Sequence, residues 1–364
     1  MERNNYFERK AVSRSLLSEF ARHPQRAKAM LDGNAVRVET DAMNFGSMFD
    51  SLMFDTSQEF SSKYRVSQYE NPWTDRRKNT GKFAYALEQI MQETLANDAT
   101  SATFAATEDL ETMFMQAYTQ SGIKSPKVYD LIAEFVEAGG RDWASEYMMS
   151  RTIKLITQEE YNKAAAMKSM LINNKYVGDM FVMDVPESHS VLRDKVEIIY
   201  QMDISFEMEG VQCKALPDIV IIDHETKVIQ VVDLKTTSSY DHSVMSSFMK
   251  FGYDYQAAWY TLAFEMITQQ AGPLQGYTVS PSFLFVFVDT VQGNEPICVK
   301  MSEMDVDCAI NGGYRYGKKR KGILDIFRDY LWHVNNDLWD YHRDYYENDG
   351  VIITDIYDNV LEGV

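Results

Sequence analysis

The chain has 364 residues, of which 45% are hydrophobic and 13% aromatic. This is enough apolar material for one large domain or two modest ones. The net charge of −18 argues against a general nucleic-acid binder, because such proteins usually carry a basic surface.

Targeting and membrane signals are weak in this sequence. The first ten residues are charged and lack an apolar stretch. No segment approaches the roughly 18 consecutive apolar residues that a membrane span needs. Cys213, Cys298 and Cys308 are scattered without the spacing of a zinc site, and we expect them to be buried free thiols. We therefore expect a cytoplasmic protein with no membrane contact.

The N-terminal half reads mainly as helix. Residues 13–31 predict a helical region that begins near a Ser13 cap and is broken by Pro24. Residues 44–54 predict a short apolar helix that carries Asp50. Residues 56–80 resemble a loop with strand fragments, and helical patterns dominate from 81 to 150. A capping box from Thr157 to Glu160 opens a helix over 157–174.

The pattern changes near residue 188. Alternating apolar and polar residues predict a strand in "KVEIIYQMDISFEM", and two more strands follow in "DIVIID" and "KVIQVVDL". Residues 252–267 predict a helix, 282–290 an apolar strand, and 323–341 an amphipathic helix. We expect a mainly helical part, 1–185, packed as one unit on an α/β core, 186–345, with an acidic tail, 346–364.

A basic segment interrupts this acidic chain near its end. "YRYGKKRKG" (314–322) contains five positive residues between Arg315 and Lys321. It is either a solvated loop or a local stripe that grips a phosphate backbone. In the second case Lys318, Lys319 and Arg320 would contact DNA.

Two carboxylates are expected to meet at one end of a hairpin. The polar segment 223–227, "DHETK", suits a turn between two strands. If the turn centres on Glu225 and Thr226, Asp218 lies opposite Asp233, with Cβ atoms about 4.5–5.5 Å apart. Because strand side chains alternate, Lys235 points the same way as Asp233.

Facing carboxylates are destabilising unless a positive charge compensates them. A hard cation such as Mg²⁺ suits this pair, since it is commonly bound through one or two carboxylates and several waters. The Lys235 ammonium would then orient the attacking water or balance the charge of a phosphate. Such parts suit phosphodiester hydrolysis. The alternative is that Asp-x-Lys is an ordinary strand end.

These residues resemble the PD-(D/E)xK nuclease superfamily. Pro217-Asp218 matches the first half of its motif, and Asp233-Leu234-Lys235 matches the second. "VVDLKTT" is similar to the RecE-type exonucleases and RecB-type nuclease domains, and "GYDYQAAWY" matches their Q-x-x-x-Y motif. The resemblance implies that Gln256 positions the active-site lysine or water and that Tyr260 meets DNA. The alternative is a buried amide and a core tyrosine.

The N-terminal region resembles the same branch. "VSRSLLSEFARHP" is similar to its opening element. "FGSMFDSL" resembles its metal-binding element, with Asp50 where the family usually has a histidine; the alternative is a surface acid. Glu197 matches a strand glutamate that would add an outer carboxylate, and Lys214 would touch a phosphate. The backbone carbonyl of Leu234 would complete the metal ligands. The four cysteines of iron–sulfur members are absent, so we expect no cluster.

The resemblance implies a restriction-endonuclease-like α/β core, with a mixed central sheet flanked by helices. It also implies a nuclease that depends on Mg²⁺, or alternatively on Mn²⁺. We expect an exonuclease acting 5′ to 3′ on free ends of double-stranded DNA in viral recombination or end processing, in the cytoplasm of a bacterium or a phage-infected host cell. The expected partners are a single-strand annealing protein and further copies of the chain, arranged as a ring that the basic segment would line. The alternatives are an endonuclease of a restriction or repair system, and an inactive module that binds DNA or protein.

Overall fold

The computed structural model describes residues 6–35, 40–97, 108–150, 153–238, 250–291, 293–315 and 318–351, and the single positions 244 and 248. The chain divides into two compact units, which we name the sheet unit (1–56 and 167–364) and the helical unit (57–166). The division falls at these positions rather than near residue 185. From residue 352 onward, the predicted acidic tail lies outside the described residues.

The described helices and strands are numbered in chain order. The helices are α1 (Arg14–Arg22), α2 (Pro24–Leu31), α3 (Asp41–Phe54), α4 (Ser57–Lys63), α5 (Asn79–Asn97), α6 (Glu108–Ser121), α7 (Val128–Glu137), α8 (Gly140–Ser150), α9 (Gln158–Asn173), α10 (Tyr253–Gln269), α11 (Glu303–Asn311), α12 (Ile323–Asn336) and α13 (Arg343–Glu347). The strands are β1 (Tyr64–Val66), β2 (Lys154–Ile156), β3 (Ser190–Arg193), β4 (Val196–Tyr200), β5 (Ile204–Met208), β6 (Val211–Ala215), β7 (Ile219–Asp223), β8 (Val228–Thr237), β9 (Thr278–Val279), β10 (Phe283–Asp289), β11 (Ile297–Met301), β12 (Gly313–Arg315) and β13 (Lys318–Arg320).

The sheet unit is built on one mixed sheet. Its strand order is β11-β10-β8-β7-β4-β3, and the short strand β9 also pairs with β8. Strand β8 runs parallel to β9 and β10, whereas the other neighbours in the sheet are antiparallel. The predicted α/β class, a mixed central sheet flanked by helices, is therefore confirmed.

Local signals set the ends of several helices. The Ser13 hydroxyl accepts a hydrogen bond from the Leu16 amide at the start of α1, and Pro24 begins α2, as predicted. The Thr157–Glu160 capping box is also present. Helix α12 ends at Asn336, earlier than predicted, because Asp337 adopts a left-handed φ of 50°.

Some sequence predictions need correction. Residues 57–63 form a helix and not a loop. "KVEIIYQMDISFEM" contains two strands, because the chain turns between Tyr200 and Ile204. Cys213 is buried, but Cys298 and Cys308 are exposed, so the prediction of buried thiols is wrong for those two.

Each unit has its own aromatic core. In the sheet unit, Trp259 of α10 is fully buried, and its ring lies 5.3 Å from that of Phe206 and 6.3 Å from that of Phe327. The helical unit packs around Phe114 and Phe135, whose ring centroids are 5.7 Å apart. No helix among the described residues is both long and apolar enough to cross a bilayer.

We predict that Trp259→Ala lowers the free energy of unfolding by about 3–5 kcal/mol. The substitution opens a cavity beside Phe206 and removes the hydrogen bond from the indole Nε1 to the Lys214 carbonyl, 3.0 Å long. Urea denaturation measures the change. Tyr176→Ala is the control, since this side chain is 76% exposed and should change stability by less than about 0.5 kcal/mol.

Candidate active site

The β7–β8 hairpin has the predicted register. The Asp223 carboxylate accepts hydrogen bonds from the amides of Glu225 (2.9 Å) and Thr226 (3.1 Å), which closes the turn. The pairs run from Asp223 opposite Val228 to Ile219 opposite Val232. Asp218, one residue before β7, therefore comes opposite Asp233.

Strand alternation turns both carboxylates toward α10. Val220 and Val231 belong to the core cluster around α10, and Asp218 and Asp233 each lie two residues further along the same face. The Leu234 amide donates to Asp218 Oδ2 across 2.9 Å. This hydrogen bond joins the two strands at the end of the hairpin where the carboxylates lie.

Asp233 is completely buried and has two partners of different kinds. Its Oδ1 accepts a hydrogen bond of 2.7 Å from Gln256 Nε2. Its Oδ2 has no hydrogen-bond donor in good geometry, although the Lys235 ammonium lies 2.5 Å away. Because this distance is short and the charges are opposite, we treat the contact as an ion pair. One donated hydrogen bond and one ion pair thus compensate for the lost hydration of this carboxylate.

A directed chain of hydrogen bonds supports this arrangement from α10. Gln256 Nε2 also lies 3.3 Å from the Tyr260 hydroxyl, which donates in turn to the Leu216 carbonyl at 3.1 Å. Gln256 therefore holds the Asp233 carboxylate, whereas the resemblance implied Lys235 or a water. Tyr260 is only 9% exposed and fixes the backbone just before Asp218, so the predicted contact with DNA is not what its position supports.

Asp50, on α3, lies close enough to the hairpin residues to interact with their charges. Burial raises the pKa of this half-buried carboxyl to about 7, the Lys235 ammonium lowers it, and Asp233 and Asp55 raise it further. Gly46, one turn earlier on α3, lies near β8: a Cβ built on it would be 3.5 Å from Thr236 Oγ1. The structure therefore brings Asp50 together with the hairpin residues.

The charges at the hairpin are strongly coupled. Burial and the neighbouring carboxylate of Asp233 raise the pKa of Asp218 well above its usual range. Burial lowers the pKa of Lys235, but attraction to Asp233 and Asp218 outweighs this effect and leaves the pKa raised. The Tyr253 ring lies 5.2 Å from the Lys235 ammonium, in a cation–π contact. Lys235 is consequently held as a cation.

Two predicted residues lie outside this cluster. Glu197 is paired opposite Ile222, four residues along β7 from Asp218, and binds Ser190 (2.5 Å) and His224 (3.0 Å). At about 3.3 Å per residue, it lies more than 10 Å along the sheet from the site. The family resemblance placed Glu197 beside the metal, whereas the register places it at the other end of the hairpin.

Lys214 was expected to touch a phosphate but is 8% exposed. Its ammonium donates to the carbonyls of Tyr6 (2.7 Å) and Arg9 (2.8 Å), and burial lowers its pKa. This ammonium therefore fixes the N-terminal segment.

The basic segment forms the β12–β13 hairpin. Arg320 makes an ion pair with buried Asp254 and stacks on Tyr255, with 4.3 Å between the guanidinium carbon and the ring centroid. The side chains of Lys318 and Lys319 lie outside the described residues. The guanidinium of Arg320 thus anchors the hairpin to the first turn of α10, which corrects its predicted role as a DNA contact.

Two carboxylates of this site, and not three, are placed so that they could bind one hard cation. No group of three His, Cys, Asp or Glu side chains in the described part of the chain has a geometry that could hold a metal ion. Asp218 and Asp233 nevertheless meet at one edge, and Mg²⁺ is often bound through one or two carboxylates. Burial raises the pKa values of Asp50 and Asp218, and the neighbouring Asp233 carboxylate raises both further, although the Lys235 ammonium lowers them. The donor set therefore fits Mg²⁺.

Sequence reasoning missed several residues that complete the site. Tyr253 contacts Lys235, and Asp55 is buried, accepts a hydrogen bond from Ser51, and adds negative charge beside Asp50. Tyr253 lies three residues before Gln256, on the same helix face, which was an available signal. No sequence signal marked Asp55.

Comparison with known proteins adds little to this description. No family model matches the sequence, and no curated protein matches it. A crystal structure from Eubacterium rectale, described as a "putative exonuclease", aligns with 97% of this chain and 94% of its own, with a TM-score of 0.45 and 12% identity. The function must therefore be inferred from the geometry of the site.

We predict that Asp50→Asn stabilises the metal-free protein, and more so at pH 8 than at pH 5. The folded-state pKa of about 7 exceeds the ordinary value of 3.8, so the folded protein loses stability as pH rises between them. Asparagine removes this loss, with an expected gain on the order of 1–3 kcal/mol above pH 7. Thermal unfolding in chelator measures it, with exposed Asp41→Asn on the same helix as control. An equal gain at both pH values would contradict the prediction.

Tyr260→Phe should lower the free energy of unfolding by about 1 kcal/mol, because it removes the hydroxyl that joins Gln256 to Leu216. Urea denaturation measures this change. The affinity for duplex DNA in chelator should stay within twofold of the parent protein. A large loss of affinity with unchanged stability would instead restore the DNA contact that the family resemblance implied.

Proposed function

We propose that this protein is a Mg²⁺-dependent exonuclease that hydrolyses phosphodiester bonds of linear double-stranded DNA. The observation that carries the proposal is the convergence of Asp218, Asp233, Lys235 and Gln256 at one edge of the sheet. Buried ionisable groups with shifted pKa values are costly to stability and are therefore concentrated at functional sites.

Asp218 and Asp233 would hold the metal. The family resemblance adds Asp50 and the Leu234 carbonyl as ligands, but the described carboxylates do not form a group of three around one ion, so Asp50 would act on the site through its charge. When bound, Mg²⁺ would supply Lewis-acid polarisation of the phosphoryl oxygen and a lowered pKa of the attacking water. Carboxylates must be deprotonated to bind a cation, so Mg²⁺ would compete with the protons that the raised pKa values of Asp50 and Asp218 favour, and its affinity would rise with pH.

Lys235 would act as a fixed positive charge. Its raised pKa means that it stays protonated at neutral pH, so it does not accept a proton from water. The ammonium instead donates hydrogen bonds that orient the water or neutralise the scissile phosphate. Gln256 would keep the Asp233 carboxylate in position while this ion pair opens to admit the substrate.

The exonuclease form of the proposal rests on the motif resemblance to RecE-type enzymes. The same resemblance implies 5′-to-3′ digestion in viral recombination, a ring of several copies of the chain, and a single-strand annealing protein as partner. An endonuclease would use the same four side chains. The inactive-module alternative is less favoured, since an inactive relative has no need to keep Asp233 and Lys235 as a buried ion pair.

The decisive measurement uses linear duplex labelled at its 5′ or 3′ end, beside covalently closed circular DNA. We expect Mg²⁺-dependent shortening of the linear duplex, intact circles, and no reaction in chelator. Lys235→Ala should reduce the rate by at least about 100-fold, because it removes a charge that faces the reacting phosphate.

Lys300→Ala provides the matched control, because this exposed lysine lies on β11 of the same sheet. Its rate should equal that of the parent protein. Circular dichroism checks that Lys235→Ala is folded, since the change leaves Asp233 without its ion-pair partner. Cleavage of circles would favour the endonuclease, and no Mg²⁺-dependent cleavage by the parent protein would favour the binding module.

A further inference from the structure

The helical unit carries two basic segments that lie far apart in sequence. The first, 76–82, contains Arg76, Arg77, Lys78 and Lys82. The second, 124–127, adds two more lysines. Six positive residues in eleven positions contrast with the net charge of −18 for the whole chain.

The fold brings the two segments together. Asn79 Nδ2 donates a hydrogen bond of 2.9 Å to the Ser125 carbonyl, which links the start of α5 to the loop before α7. The Tyr118 hydroxyl of α6 donates to the Pro126 carbonyl at 2.9 Å and holds the same loop. The six residues therefore form one surface, which we name the basic patch: Arg76, Arg77, Lys78, Lys82, Lys124 and Lys127.

Most of this charge is available to a partner. Lys78, Lys82, Lys124 and Lys127 are exposed, and none of them forms an ion pair with a described residue. The guanidinium of Arg77 binds Asp75 at 2.9 Å, and the charge of Asp75 also acts on nearby Lys78. The basic patch thus keeps a local excess of positive charge.

Aromatic side chains border the basic patch. The guanidinium carbon of Arg76 lies 4.2 Å from the ring centroid of Tyr85, which is 40% exposed. Tyr129, two residues beyond Lys127, is 75% exposed. Lysines and arginines next to tyrosines are typical donors to phosphate oxygens. A membrane surface is less suited, because the large exposed side chains at the patch are the tyrosines Tyr85 and Tyr129, whereas membrane-binding helices bury Trp, Phe or Leu in lipid.

We propose that the basic patch binds the phosphate backbone of DNA, independently of base sequence. This inference rests on the proposed function, because it assigns the helical unit a role in holding the substrate of the nuclease. Electrostatic contacts of this kind release counterions, so each phosphate contact contributes about −0.9 to the slope of log affinity against log salt.

The test compares two variants of equal net charge in the full chain. The patch variant is Lys78→Gln/Lys82→Gln/Lys124→Gln, and the control is Lys63→Gln/Lys154→Gln/Lys163→Gln, which changes exposed lysines of the helical unit outside the patch. Binding of a fluorescent duplex is measured in chelator, so that no cleavage occurs, over a range of salt concentrations.

We expect the patch variant to bind DNA about tenfold more weakly than the parent protein. The slope of its log affinity against log salt should become less steep by about 2–3, while the affinity of the control stays within twofold of the parent protein. Equal losses in both variants, or no loss in either, would overturn the inference. So would a loss of binding to phosphatidylserine vesicles with DNA binding unchanged.

If the parent protein binds DNA through the patch but never cleaves it, the proposed function fails and this inference stands. If the parent protein cleaves DNA and the patch variant binds and cleaves it equally well, the proposed function stands and this inference fails.

Discussion

The buried carboxylate of Asp233 is the constraint on which the site depends. A charge without solvent must be matched by hydrogen bonds and an opposite charge, or it destabilises the fold. Here Gln256 supplies the hydrogen bond from α10 and Lys235 supplies the charge from the same strand. Because these groups come from separate elements, the carboxylate fixes the distance between the sheet and the helix. The geometry of the site is therefore also a condition of its stability.

Helix α10 transmits this constraint to the rest of the sheet unit. Its first turn has no side-chain cap and begins after Gly252, which adopts a left-handed φ of 65°. Arg14 holds the chain there through the carbonyls of Phe251 and Gly252, and Arg320 holds Asp254. The side-chain amide of Gln256 thus lies between two arginine anchors and the fully buried Trp259. The core packing and the candidate site share one helix, so several independent contacts fix its position.

Features that depend on residues close together in the sequence could be predicted, whereas features that depend on residues far apart could not. The register of Asp218 against Asp233 follows from turn residues within the hairpin itself, and it was predicted correctly. The ammonium of Lys214 binds backbone carbonyls near the N-terminus, about 200 residues away in the sequence. A sequence pattern cannot indicate such contacts, because every residue has a backbone carbonyl. Tyr260 has the spacing of a functional residue, but helix periodicity cannot distinguish a face toward substrate from a face toward the core. The division of units was equally hidden, since the sheet unit draws on both ends of the chain.

Net charge proved the least informative of the sequence properties. A value of −18 describes the sum over the chain, whereas a DNA strand responds to charges within about a Debye length, roughly 8 Å at physiological salt. Within that range, lysines such as Lys82 and Lys124 present positive charge while acidic residues elsewhere are screened. The carboxylates of the candidate site are a separate case, because a divalent cation would neutralise their charge before a phosphate arrives. An acidic chain and a polyanionic substrate are therefore compatible, provided that positive charge is concentrated where the substrate lies.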